Sequence, residues 1–267
     1  MTPRRRFPPV GWLRAARRSV RRISCALRFH ADPYVAEPPV GVEERWITTS
    51  DGVRLHAWYA AAADAQATIL WSHGNGLSIA RRPDLVCTLA ARGVNVLAYD
   101  YRGSGRSGGR PSEGGLYRDA LAAYESEREH GMPAERIVSF GESLGGAVAI
   151  FLASRRPVGG LAVVSTLTRL RDLHQGFAPL ALFARFDSIH RIAQVAVPVF
   201  IAHGDRDRTI RFEHGERLFA AAREPKCFFR AAGAGHADVL ESPGLLDAIA
   251  AFSRNAAAGK EDHHATH

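Results

Sequence analysis

The sequence predicts an α/β fold: a mostly parallel, eight-stranded sheet with helices on both faces and a small cap. Three observations predict it. Short apolar runs of strand length alternate with longer helical patterns, as the crossovers of a parallel sheet require. One such run passes through Gly141-Glu142-Ser143-Leu144-Gly145 straight into a helix. Glycine-rich polar turns follow strand after strand at the C-terminal ends, where open α/β sheets place their sites.

In chain order, residues 43–49 and 53–59 read as an opening hairpin joined by the Asp51-Gly52 turn signal. Further strands are expected at 68–71, 94–99, 136–140, 160–165, 197–202 and 226–231. Leu144 through Ala153 reads as a helix that packs tightly at its start. Residues 31–42, with Pro33, Pro38 and Pro39, read as an extended linker, and 255–267 as a disordered Ala- and His-rich tail. The folded domain is then 43–254. Within it, about 167–193 form a small apolar cap that includes Phe177 to Phe186, too short for a multi-helix lid.

Gly-x-Ser-x-Gly between a strand and a helix is a nucleophile elbow, a turn too sharp for bulky neighbours that lifts the serine oxygen above the sheet edge. A serine hydroxyl is a poor nucleophile near neutrality and needs a general base, itself oriented by an acid. Downstream of Ser143, the turn His203-Gly204-Asp205-Arg206-Asp207 offers an acid in Asp205 or Asp207, and Ala232-Gly-Ala-Gly-His236 offers the base. An oxyanion formed at Ser143 would need two backbone donors: the Leu144 amide, and that of Asn75 or Gly76 in Ser72-His73-Gly74-Asn75-Gly76. His73 reads as a brace for that loop, and Asp100 as a brace for the glycine-rich loop 103–109, which lacks the Lys-Ser/Thr of a phosphate-binding loop.

These motifs, with Tyr99-Asp-Tyr-Arg-Gly-Ser-Gly-Arg-Ser-Gly-Gly-Arg-Pro-Ser-Glu113, resemble the α/β-hydrolase superfamily. Within it they are similar to the branch of peripheral-membrane depalmitoylases and their uncharacterised bacterial relatives. The resemblance covers about residues 40–254. It implies Asp207 as the acid, with Asp205 in a variable slot, and it implies a serine hydrolase acting on carboxylic ester or thioester bonds of a hydrophobic acyl group through an acyl-enzyme. An acyltransferase on the same residues, or a non-catalytic membrane-associated binding module, are the alternatives. Where such sequences usually carry proline after the acid, this chain has Arg211. A serine at the elbow excludes the epoxide hydrolase and haloalkane dehalogenase chemistries, which need a carboxylate there.

Composition bounds the rest. With 267 residues, 46% hydrophobic and 23% charged, the chain suits one globular domain with a sizeable core. Cys25, Cys87 and Cys227 lie far apart, without a disulfide framework or zinc spacing, and neither metal nor cofactor is expected. The net charge of +8 is concentrated at one end: residues 1–30 hold nine arginines and no acid. There Leu13, Ala16, Val20, Ile23 and Leu27 recur at helical spacing, with arginines on the other sides. A basic amphipathic helix of this kind suits an anionic membrane surface, giving a peripheral contact through residues 11–29 and a cytoplasmic or inner-membrane location. A transit-like leader, a nucleic-acid contact or a helix docked on the body are the rival readings, and no nucleic acid is expected. The segment is not apolar enough to span a bilayer and lacks the core of a secretory signal.

Overall fold

The computed structural model describes residues 31–173 and 185–259. The basic leader, the apolar centre of the expected cap and the last residues of the tail lie outside the described residues.

Among the described residues, fourteen strands and α-helices carry the fold. They run β1 (Val42–Thr48), β2 (Arg54–Ala60), β3 (Thr68–Ser72), α1 (Pro83–Ala91), β4 (Asn95–Tyr99), α2 (Glu113–Glu129) and β5 (Ile137–Glu142). Then come α3 (Leu144–Ala153), β6 (Gly160–Val164), α4 (Ser188–Ile192), β7 (Val199–Gly204), α5 (Phe212–Ala221), β8 (Lys226–Ala231) and α6 (Leu245–Ala257). The eight strands form one sheet in the order β1-β2-β4-β3-β5-β6-β7-β8. The opening hairpin pairs antiparallel and joins β4 antiparallel, while every other pairing is parallel.

Alternation along the inner strands decides which helix covers which face. Ile69, Trp71, Val138, Phe140, Ala162 and Phe200 share a core with α1 and α6. Leu70, Leu97 and Ile137 pack with α2 and α3 on the other face, and Leu161, Val163 and Ile201 pack with α3, α4 and α5 there. This period of two, buried on both faces, is what a parallel sheet between two helical layers produces. Each fully buried Leu, Ile or Val side chain contributes about 1.5–3 kcal/mol relative to exposure. The α2 start is capped locally, Ser112 Oγ accepting from the Gly115 amide at 3.1 Å, a bond of about 1 kcal/mol.

Two expected boundaries differ. Residues 31–41 are not a free linker: Asp32 is buried and takes Arg81 Nε at 2.9 Å, while its carbonyl accepts the Gly105 amide at 2.7 Å. The Tyr34 carbonyl accepts from Ser78 Oγ at 2.8 Å. The segment is therefore a strap across two loops at the C-terminal edge of the sheet. At the other end, α6 continues through Asn255 and Ala256 to Ala257, beyond the expected limit at 254. Ala256 is buried there because it packs on Gly160, where an added Cβ would stand 3.0 Å from the alanine methyl.

Candidate active site

Ser143 connects β5 to α3 with φ 54° and ψ −120°, a backbone conformation that costs a non-glycine residue about 1–3 kcal/mol. The neighbouring glycines make the turn possible. A Cβ on Gly141 would lie 2.3 Å from the Gly145 carbonyl oxygen, and one on Gly145 would lie 2.0 Å from that of Ser72. The elbow is thus wedged against both its own helix and the end of β3.

The three residues expected to act together are together. His236 Nε2 lies 3.0 Å from Ser143 Oγ, and its Nδ1 lies 2.7 Å from Asp207 Oδ2. Each follows a parallel strand, so the sheet brings to one edge residues that are 93 and 29 positions apart. The Asp207 side chain is fully buried while His236 keeps partial exposure. Asp207 Oδ1 accepts the Thr209 and Ile210 amides at 2.8 Å each. Burial pushes the Asp207 carboxyl up, but the nearby His203 ring and hydrogen bonds from His236 and the Ile210 amide outweigh it and hold the group well below the usual carboxylate range. Asp205 faces elsewhere, accepting from the Gly233 amide at 2.8 Å and Arg230 Nε at 3.1 Å.

His203 is a partner that the sequence did not single out. Its Nε2 donates to the Ile210 carbonyl at 2.8 Å and stands 3.6 Å from Asp207 Oδ2. Its place at the end of β7, four residues before Asp207, was the available signal. Arg211 keeps φ −58°, within the range a proline adopts.

The donor loop lies beside the serine. A Cβ on Gly74 would be 3.6 Å from that of Ser143, and Gly74, Asn75, Gly76 and Leu144 line one recess with Tyr101 and Leu116. His73 braces this loop from within the core. Its Nδ1 donates to the Gly74 carbonyl at 2.8 Å, and its Nε2 accepts the Tyr101 amide at 3.3 Å. Burial pushes its pKa down, more than the nearby Asp100 raises it, so the ring that satisfies both bonds is neutral. Asp100 in turn receives the Ile79 amide at 2.8 Å, and a Cβ on Gly105 would collide with its Oδ2 at 2.0 Å. The glycine-rich loop is held further by Arg102, which bridges Asp119 and Asp51 at 2.8 Å each. It is a structural border of the recess.

The two ends of the segment expected to form a cap are fastened to the body. The Leu170 amide donates to the Arg185 carbonyl at 3.2 Å, and Arg169 Nε pairs with Asp187 at 2.9 Å. Glu113 accepts the Arg185 and Phe186 amides at 2.7 and 2.9 Å, fixing the second end to α2. No group of three or more potential metal ligands occurs among the described residues. No helix among them is long and apolar enough to cross a membrane.

This sheet order, with a serine at a strained strand-to-helix turn and an acid and a histidine following later strands, defines a class. The chain belongs to the α/β-hydrolase family and is a hydrolase of that class. Residues 63–189 match the family model described as Hydrolase_4, serine aminopeptidase, S33. The uncharacterized protein Rv2307c of Mycobacterium tuberculosis is 41% identical over 217 residues, 77% of either chain. The human alpha/beta hydrolase domain-containing protein 17B is 33% identical over 195 residues, covering 72% of this chain and 68% of that one. Among solved structures, the Pyrococcus furiosus esterase Pf2001 superposes with a TM-score of 0.69 at 20% identity, over 84% of this chain and 97% of its own. At that identity the likeness is one of fold.

Proposed function

We propose that the protein is a serine hydrolase that cleaves carboxylic ester or thioester bonds of hydrophobic acyl substrates through an acyl-enzyme. The observation that carries this reading is the unbroken chain from Ser143 Oγ through His236 to Asp207, at 3.0 and 2.7 Å. His236 Nε2 takes the Ser143 proton as Oγ attacks the acyl carbonyl, then returns it to the leaving oxygen or sulfur. In the second half it takes a proton from water, which attacks the acyl-enzyme, and then gives that proton to Ser143 Oγ as the acid leaves. Asp207 keeps Nδ1 protonated and offsets the charge of the imidazolium. The amides of Leu144 and Asn75 receive the oxyanion, with Gly76 shaping the turn at φ 71°. Leu116 and Leu144 give the recess an apolar wall, which favours an acyl chain over a charged group. The bond type draws support from the fold neighbour of Pyrococcus furiosus, an esterase.

A peripheral membrane contact through residues 11–29 is the companion proposal. It gains support from the strap, which begins at residue 31 and is fastened beside Ser104 and Ser78, next to the recess. A leader attached there would hold the mouth of the site toward the surface it binds. Co-sedimentation with anionic vesicles should be strong for the full chain and lost when residues 1–30 are removed; equal binding by both rejects the contact.

The catalytic reading is tested by fluorophosphonate labelling together with turnover of p-nitrophenyl esters from C2 to C16, for wild type and Ser143→Ala. Labelling and turnover should both vanish in the variant, with the wild-type optimum at longer chains. A folded wild type that neither labels nor turns over would reject the hydrolase, and acyl transfer to an added alcohol or thiol would favour the acyltransferase alternative.

A further inference from the structure

We infer that His203 is a positioning residue: from inside the protein it sets the turn that carries Asp207, and through that turn the direction in which Asp207 meets His236. The inference rests on the serine-hydrolase reading and concerns how the acid of that site is aimed.

A carboxylate on a turn is aimed only as well as the turn is fixed. Asp207 does part of this itself. Its Oδ1 accepts the Thr209 and Ile210 amides at 2.8 Å each, which closes residues 207–210 on themselves and leaves Oδ2 for His236 Nδ1 at 2.7 Å. The first half of the turn is tied to the sheet edge through its backbone. There the Asp207 amide donates to the Gly204 carbonyl at 3.2 Å, and the Arg206 amide to the Ala234 carbonyl at 2.9 Å. The second half is tied through a side chain. His203 Nε2 donates to the Ile210 carbonyl at 2.8 Å. Ile210 is thus bonded through its N–H to the acid and through its C=O to the end of β7.

The ring is held for this contact. His203 is fully buried, and a Cβ on Gly215 would stand 2.7 Å from its Nδ1, so the backbone of α5 closes that side. Phe212 meets the ring edge to face, with centroids 5.9 Å apart. The proton belongs on Nε2, because that nitrogen faces two acceptors: the Ile210 carbonyl and, at 3.6 Å, Asp207 Oδ2. The longer approach is not a hydrogen bond, yet it turns the positive edge of the ring toward a buried carboxylate, where screening is weak. Nδ1 is buried and has no hydrogen-bond partner among the described residues. An unpartnered buried nitrogen costs free energy, so a side chain selected for packing alone would be apolar. What Nε2 holds explains the imidazole.

A triad acid must keep its histidine in one tautomer and one orientation. Misplacement of such a group by about 1 Å can cost roughly 10² in rate. His203 therefore acts on kcat through Asp207, without touching substrate or His236.

Three variants of the full-length protein separate the donor from the bulk. His203→Gln carries an amide N–H to about the place of Nε2, His203→Asn stops short near that of Nδ1, and His203→Leu fills space without a donor. For p-nitrophenyl ester turnover, H203L and H203N should each lower kcat by roughly ten- to a hundredfold with KM within about twofold, and H203Q should stay within about threefold of wild type. Proton NMR adds a readout that lost stability alone does not move: the strongly deshielded His236 Nδ1 proton, which points at Asp207. That resonance should shift upfield or broaden away in H203L and H203N and persist in H203Q. Wild-type kcat in folded H203L and H203N would overturn the inference, as would an H203Q as impaired as H203L. A fall in kcat with the His236 resonance unmoved would overturn it too, because the effect would not pass through Asp207. If H203L fails to fold, H203N against H203Q decides. The hydrolase reading fails separately, through a wild type that neither labels nor turns over while its deshielded resonance still reports the bond from His236 to Asp207.

Discussion

His73 and Tyr101 meet ring to ring, with centroids 4.2 Å apart, and the Tyr101 amide donates to the histidine at 3.3 Å. That bond requires an unprotonated Nε2, and the bond from Nδ1 to the Gly74 carbonyl requires a proton on the other nitrogen. A single neutral tautomer satisfies both, and it ties the donor loop after β3 to the loop after β4.

His73→Ala should therefore lower kcat by about 10- to 100-fold with KM little changed, because the brace is lost while the serine and its base remain. Long-range ¹H–¹⁵N spectra should show the Nδ1–H form persisting below the ordinary histidine pKa of about 6.5. The folded pKa lies below the unfolded one, so this ring's contribution to stability is present above about pH 6.5 and is lost as pH falls through the folded value.

Asp207→Asn and Asp205→Asn should behave very differently. The first should lose on the order of 10⁴ in kcat, as when a triad acid no longer fixes the histidine tautomer. The second removes contacts only to the Gly233 amide and Arg230, and turnover should stay within about threefold, since surface contacts of this kind carry little energy. Steady-state kinetics on both variants, with circular dichroism to verify folding, measures the contrast.

Burial holds the Glu142 carboxyl above its ordinary pKa, against the opposing influence of Arg82, the Gly74 amide and His236. An acid raised in the folded state costs stability as pH climbs from its unfolded value through its folded one. Glu142→Gln removes that cost. Its melting temperature should therefore gain on wild type little at pH 4 and progressively more toward pH 8, by about 2–4 °C for each ~1 kcal/mol relieved. A constant difference across that range would show that the carboxyl does not titrate as inferred.

Arg211→Pro should preserve turnover and stabilise the protein by about 0.4–1 kcal/mol, since φ is already −58° there and proline restricts chiefly the unfolded chain. Thermal unfolding of the variant tests this directly.

What could be read from the sequence divides along the distance over which a residue finds its partners. Ser143 and His236 were legible because each sits in a short local signature, glycines around a turn after an apolar strand. The sheet was legible for the same reason, as Thr68–Ser72 and Val199–Gly204 are short runs of five and six residues buried throughout. Asp32 was not, since its partner Arg81 is 49 positions away and the prolines around it suggest a loose linker. Nor does the sequence reveal that the Glu142 side chain, next to the nucleophile, stays buried. The choice between Asp205 and Asp207 came from resemblance, and the backbone amides of Thr209 and Ile210 supply its physical basis.

The two ends of the described chain leave the sheet from opposite edges. Residue 31 emerges where the strap crosses the loops beside Ser143, whereas α6 finishes against Gly160, at the first residue of β6. Cargo fused ahead of residue 31 is therefore delivered to the side of the sheet that carries Ser143 and His236, and a label placed after residue 259 stands on the other side. For immobilisation on a bead or sensor, coupling through the C-terminal side leaves the entrance facing solution, and coupling through the N-terminal side turns it toward the support.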